Sequence, residues 1–169
     1  MIRIIVSTLI CAGLAAPAVA QAQSALPREG TIEQTLIFHS TFQRVALDKE
    51  FTQVVYDAYG SALATNEGGF GDRSTGRCVG TQRYIKGKFD TEIGGCQFVD
   101  RSGDTYFTSY TVLGTDMPGH TTTKGSYVGG TGKYAGITGS YETRRQGLPS
   151  PGEGRGASLS FAKGTYRLP

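Results

Sequence analysis

Tryptophan is absent from this 169-residue chain, histidine occurs twice and cysteine three times. Each scarcity excludes a class of protein. His39 and His120, with the thiols Cys78 and Cys96 placed 18 positions apart, do not make a zinc site, so no metal is expected. Neither histidine sits in a recognisable nucleophile pattern and no serine lies in a Gly-x-Ser-x-Gly elbow, so hydrolase chemistry is not written here. Beyond the first 20 residues no run of ten or more carries helical apolar spacing, which leaves a β domain. Blocks of like charge are missing too. Taking Arg3 from the 17 Lys and Arg leaves 16 against 14 Asp and Glu, spread along the chain. Arg144-Arg145 is the one basic pair, far short of the clustered stripe that nucleic acid requires.

The apolar run that does exist is at the start. Met1 and Arg3 lead into Ile4 to Ala16, too short to span a bilayer stably, and Ala18-Val19-Ala20 and Ala20-Gln21-Ala22 follow as small-x-small sites. Residues 1–22 therefore read as a cleavable signal peptide, cut after Ala20 or Ala22, and a periplasmic or secreted product without a stable membrane span is expected. A buried N-terminal helix is the alternative, and Pro17 serves it poorly. Cys11 lies in mid-run after Ile10, where lipoprotein processing wants a small residue. Its removal leaves Cys78 and Cys96, and an even number on an oxidising route reads as one disulfide. Closing that loop stabilises the fold by roughly 3 kcal/mol on the chain-entropy model. Residues 23–30, with Pro27, form a flexible leader, and residues 31–169 form one domain of ordinary size.

That domain is rich in Gly, Thr and Tyr, and its strands are short alternating runs broken by Gly, Asp and Ser. Thr31 to Phe42, with a continuation from Arg44 to Leu47, is the first. Phe51 to Tyr59 is apolar on both faces, as for a strand covered on both sides. Residues 66–72 are loop. Arg77 to Ile85 and Glu92 to Val99 form an antiparallel pair carrying the cysteines, and Asp100 to Asp104 is a turn with Gly103 at the left-handed position. Tyr106 to Leu113 alternates most clearly, with Tyr106, Thr108, Tyr110 and Val112 on one face. Thr121 to Val128 and Tyr134 to Thr143 form a hairpin around glycines 129, 130 and 132. Ala157 to Leu168 is last, with Gly164 placed for a bulge. About eight strands without a crossover helix predict a meander closed into an antiparallel β-barrel, with a two-sheet sandwich as alternative.

Gly130-Thr131-Gly132-Lys133-Tyr134-Ala135 matches the Gly-x-Gly-x-x-Ala dinucleotide fingerprint as a string, but a strand follows where the motif needs a helix. It reads instead as a tight turn with Lys133 solvated, and no cofactor is expected. Asp57 and Glu142 are strand carboxylates that burial could turn into a general acid or base; a wet outer face is the plainer reading. Tyr56, Tyr106, Tyr110 and Tyr141 are strand aromatics that either fill a core or line a cavity, offering a ring and a hydroxyl.

At Gly129 to Gly139 the sequence resembles the hairpin of the allene oxide cyclase barrel-like superfamily, which includes the dirigent proteins. Arg77-Cys78-Val79-Gly80-Thr81 with Lys86 to Phe89, and Gly95-Cys96 with Asp100 to Asp104, look like a bacterial, exported branch of it. The similarity spans roughly Phe70 to Tyr141, and Gly164-Thr165-Tyr166 resembles the last strand. The resemblance implies an eight-stranded antiparallel barrel whose interior can hold a small apolar molecule. The plant cyclases guide the cyclisation of an epoxide-containing fatty acid, while dirigent proteins steer the coupling of phenoxy radicals. Their functional carboxylates do not align with particular positions here. Three functions follow as expectations: a binder of a small hydrophobic ligand such as a fatty acid or terpenoid, an isomerase or cyclase on an oxidised lipid, and a structural envelope-associated protein with a filled barrel. An open lumen with a buried carboxylate favours the second, and one without favours the first. Nothing in the sequence specifies an oligomeric state.

Overall fold

The structure, a computed structural model, describes residues 26–114 and 120–169. The expected signal peptide lies outside the described residues. Eight strands form in order: β1 (Glu29–Ala46), β2 (Phe51–Ala64), β3 (Ser74–Ile85), β4 (Lys88–Val99), β5 (Thr105–Leu113), β6 (His120–Gly130), β7 (Thr138–Leu148) and β8 (Arg155–Arg167). Each pairs antiparallel with the next, and β8 pairs with β1, so the sheet is a closed barrel and not a sandwich. Closure leaves no bare edge. The alternation read from the sequence sets the faces: in β5, Tyr106, Thr108, Tyr110 and Val112 are buried while Ser109, Thr111 and Leu113 are exposed.

One row of paired residues shows how the barrel is built. It runs from Phe42 of β1 through Tyr56, Gly80, Gly94, Tyr110, Gly125, Tyr141 and Gly164, and returns to β1 at Ile32. Returning to a different residue is the stagger that tilted strands need in order to close. Within this row each of three tyrosines has a glycine as a register partner, so each ring can lie across the strand beside it.

The two ends of the barrel differ. At one end the β2–β3 connection folds Phe70 inward, 4.6 Å from the Tyr166 ring and 5.0 Å from that of Tyr106, with Tyr127 and Tyr134 close by. The Gln34 side-chain amide donates to the Phe70 carbonyl at 2.8 Å and holds this plug in place. Ile32, Ile137 and Phe98 complete a solid apolar cluster. Among the described residues the lumen opens at the other end, where β1–β2, β3–β4 and β7–β8 connect.

Four expectations need correction. Tyr134 does not begin β7; it closes a 3-10 turn, Gly132–Tyr134, and its ring is buried in the plug, with its hydroxyl donating to Asp100 at 3.0 Å. Lys133 is not simply solvated, because its ammonium pairs with Asp100 at 2.5 Å and lies 5.3 Å from the Tyr134 ring. Gly164 is no bulge, since β8 stays in register with both neighbours through it. Among the described residues nothing covers the outer face of β2, where Val55 and Tyr59 are exposed around an Asp57–Arg77 ion pair. The Asp100 to Gly103 turn forms as expected, with the Asp100 carboxylate accepting from the Ser102 amide and Gly103 at φ 85°.

Candidate functional site

Above the plug the lumen is hollow, with a cavity of about 510 Å³ that reaches the open end. Small side chains on β8 leave this space: Gly156, Ser158, Ser160 and Ala162 all line it. Leu36, Phe38, Phe42 and Val54 give it an apolar wall from β1 and β2, facing a polar group carried by β3 to β7. Cys78 and Cys96 are register partners on β3 and β4, and their disulfide also lines the wall.

Tyr56, Tyr106, Tyr110 and Tyr141, singled out in the sequence, are all on the inner wall. Tyr106 lies deepest, stacked on Phe98 at 4.8 Å, and burial pushes its hydroxyl up to about 12. Tyr56 and Tyr110 come from β2 and β5, on either side of the β3–β4 pair. Their rings cross inward over Gly80 and Gly94, where any Cβ would collide with the two hydroxyls. The Tyr56 and Tyr110 hydroxyls therefore meet in a hydrogen bond over the middle of β3 and β4. Tyr141 lies over Gly125 in the same way.

The Tyr110–Tyr56 pair leads to Glu92 of β4, wholly buried and not singled out in the sequence. One carboxylate oxygen accepts from the Tyr56 hydroxyl at 2.7 Å and from Arg145 Nη1 at 2.9 Å. The other accepts from Gln82 Nε2 at 3.0 Å and from Arg145 Nη2 at 2.5 Å. Arg145 belongs to β7, so this bidentate pair reaches over β5 and β6. Burial by itself raises the Glu92 pKa, but the hydrogen bonds and charge of Arg145, with those of Tyr56 and Gln82, outweigh it and hold the carboxyl below its ordinary value. Burial first, and then the Glu92 charge, push the Tyr56 and Tyr110 hydroxyls well above theirs. Glu92 is an anion and both tyrosines are neutral. The carboxylates weighed from the sequence are elsewhere: Asp57 faces outward against Arg77, and Glu142 is exposed on the outer wall.

Proton counting fixes the direction of the network. An ionised carboxylate only accepts, so Tyr56 must spend its single proton on Glu92. Tyr110 must then donate to Tyr56, which leaves the Tyr110 oxygen with lone pairs and no proton of its own to offer. Arg145 gives its Nε–H to Thr121 at 3.1 Å and one N–H from each terminal nitrogen to Glu92, so two N–H groups are left over. An acceptor and fixed donors thus share a lumen whose central charges cancel.

Strand parity was the signal that could have found this site. Glu92 shares its face with Cys96 and Phe98, and Arg145 shares its face with Tyr141 and Thr143. Arg144 and Arg145, adjacent in sequence, point to opposite sides of β7.

No protein-family profile and no curated protein matches the chain. Among solved structures it is similar to a pterocarpan synthase dirigent protein, with a TM-score of 0.50 and 15% identity over 84% of this chain and 93% of that one. The fold is the dirigent-like barrel. At that identity the likeness extends to the eight strands and their closure, as the sequence resemblance implied. The Glu92–Arg145 pair is read from this chain alone.

Proposed function

We propose that this protein is an exported barrel that binds a small, mostly apolar and uncharged molecule in its lumen. The observation that carries the reading is the cavity itself, of a volume typical of small-molecule sites, with apolar walls and a few converging polar groups. A hydroxyl of the ligand would donate to Tyr110, and a carbonyl or ether oxygen would accept from Arg145. A free carboxylate fits less well, since Glu92 already neutralises Arg145 and a second buried anion would lack a counter-charge. A filled structural barrel is disfavoured by the open lumen.

Isomerase or cyclase action is the second reading, and the buried carboxylate behind two hydroxyls is what favours it. A substrate proton passed to Tyr110 could move Tyr110 to Tyr56 to Glu92. The last transfer is uphill, because four donors hold Glu92 as an anion, so binding without turnover is the better account. That a synthase is built on this fold keeps the catalytic reading open to test. The disulfide suits an oxidising compartment, and among the described residues no helix is long and apolar enough to cross a membrane; both fit export.

The test is titration with a chain-matched set of long-chain alcohol, methyl ether and carboxylic acid. Saturable binding in the order alcohol, ether, acid is expected, with Tyr110→Phe reducing the preference for alcohol over ether. Ser160→Phe, which fills the lumen, should abolish binding in a folded protein. Absence of saturable binding across the set would overturn the reading, and conversion of a bound compound would replace it with the catalytic one.

A further inference from the structure

The lumen is two-sided, and the division follows the strands. Leu36, Phe38, Phe42, Val54 and Phe98 line it from β1, β2 and β4 as bare hydrocarbon. From β6, β7 and β8 no Leu, Ile, Val, Met or Phe lines it among the described residues; the lining there is Gly, Ala, Ser, Thr, His, Tyr and Arg. In a closed ring of eight strands β6 stands across from β2 and β8 across from β4, so the two surfaces face each other over the ligand space.

Three hydroxyls on the polar wall have no partner inside the protein. Thr123, Thr143 and Ser160 are each less than a tenth exposed, and none of their side chains makes a hydrogen bond among the described residues. They are not sealed off either, because Thr108 Oγ1 is the only enclosed side-chain polar atom without a partner among the described residues, so the other three open to the lumen they line. Register makes them one panel. Thr123 and Thr143 are direct partners across β6 and β7, Ser160 pairs with Arg145 across β7 and β8, and Arg145 follows Thr143 by two residues on the same face of β7. With neighbouring strands about 4.8 Å apart and alternate residues about 6.8 Å apart, ligand oxygens that meet this panel stand about 5–8 Å from one another, too far for hydroxyls on adjacent carbons. A ligand that expels water from the lumen must supply partners for these hydroxyls, at a loss of about ten-fold in affinity for each one left unmet. A single-chain alcohol has one hydroxyl and hydrocarbon on every side, so it suits the apolar wall and leaves most of the panel unmet.

We infer, resting on the reading that the lumen binds an uncharged molecule, that its ligand is a rigid fused-ring hydrocarbon with hydroxyls on one face, set on different rings, and bare carbon on the other. The hydroxylated face lies on Thr123, Thr143 and Ser160, and the bare face lies on Leu36, Phe42 and Val54. Rigidity matters because holding several hydroxyls at fixed separations costs a flexible chain its rotational freedom, while a fused ring has little of it to lose. Thr123, Thr143 and Ser160 are then the residues that set specificity, and the Tyr110–Tyr56–Glu92 network is a separate polar station in the same lumen.

Titration calorimetry tests this with three uncharged probes, each kept below the concentration at which it aggregates. Methyl cholate is a steroid ester with three hydroxyls on one face, methyl lithocholate keeps the same rings with a single hydroxyl, and 1-hexadecanol is the flexible chain. Methyl cholate is expected to bind tightest, at least about ten-fold over methyl lithocholate. Thr123→Val with Thr143→Val removes two hydroxyls at nearly constant shape and should abolish that preference. Ser160→Ala should reduce it part of the way, which keeps the test open if the double variant folds poorly. Binding of methyl cholate no tighter than that of methyl lithocholate, or an unchanged preference in the folded variants, would overturn the inference. If 1-hexadecanol still bound saturably, either result would leave the lumen reading standing. Absence of binding by all three probes would remove both.

Discussion

Glu92 is the residue on which the lumen turns, because four hydrogen bonds from three residues converge on one buried carboxylate. Glu92→Gln keeps the shape and removes the charge, leaving the Arg145 guanidinium buried without its anion. A loss of about 3–5 kcal/mol in urea unfolding is expected, and Glu92→Gln combined with Arg145→Met should recover a good part of it, since removing both charges leaves neither uncompensated. Full additivity of the two substitutions would mean that the pair is not coupled. Acid acts through the same logic. Burial raises Asp100, but hydrogen bonds from Lys133, Ser102 and Tyr134 lower it more, to about 2 from an ordinary 3.8. The unfolded chain therefore takes up this proton first, so the contribution is complete above about pH 5 and is lost as pH falls toward 2; Glu92 adds to the loss in the same direction. Stability should be flat above about pH 5 as far as these groups are concerned, then fall by about 2 kcal/mol for Asp100 alone. Asp100→Asn should reduce that fall. The turn around Asp100 was legible in the sequence because Asx and Gly chemistry is local. Glu92 was not, because two of its three partners, Tyr56 and Arg145, are 36 and 53 positions away and only the folded barrel brings them to it.

At the scale of elements, the pairing of tyrosine with glycine along one register row decides where the hydroxyls meet. Gly80 and Gly94 face inward beside each other on β3 and β4, and the Tyr56 and Tyr110 rings occupy the space their missing side chains leave. A methyl at Gly94 would lie 2.6 Å from the Tyr110 ring carbon that bears the hydroxyl and 2.8 Å from the Val79 carbonyl, so the ring must move. Gly94→Ala is expected to cost about 1–3 kcal/mol as overpacking and to part Tyr110 from Tyr56, read as a lower denaturation midpoint. An unchanged midpoint would mean that the ring has room elsewhere. Strand identities were readable from the period of two in β5 and from the cysteine pair. These glycines were not, because a glycine inside a strand gives no indication of which neighbour lies across it. The extra turn at Gly132 and the late start of β7 were missed for a related reason: Tyr134 and Ile137 look like strand residues and are used to plug the barrel end. The disulfide joins direct register partners, so it reinforces a hairpin that the ladder already specifies.

For the whole molecule, closure is the property from which the rest follows. Short alternating strands without a crossover helix pointed to a barrel, yet nothing in that pattern says whether its interior is filled. That depends on summed side-chain volume layer by layer: aromatic rings fill the plugged end, while Gly156, Ser158, Ser160 and Ala162 leave the other half hollow. An unfilled lumen should respond to its ligand as a unit. A molecule that binds the closed barrel and not the unfolded chain stabilises it by RT ln(1 + [L]/Kd), about 2.7 kcal/mol at a hundred-fold excess over Kd. For a domain of this size that is a rise in melting temperature of roughly 5–15 °C, growing with the logarithm of ligand concentration. A long-chain alcohol is expected to produce such a rise in the wild type, a smaller one in Tyr110→Phe and none in Ser160→Phe, whose new ring occupies the cavity. The filled variant is the decisive control. An equal rise in Ser160→Phe would place the bound molecule on the outer wall, and the hollow half of the barrel would then need another explanation.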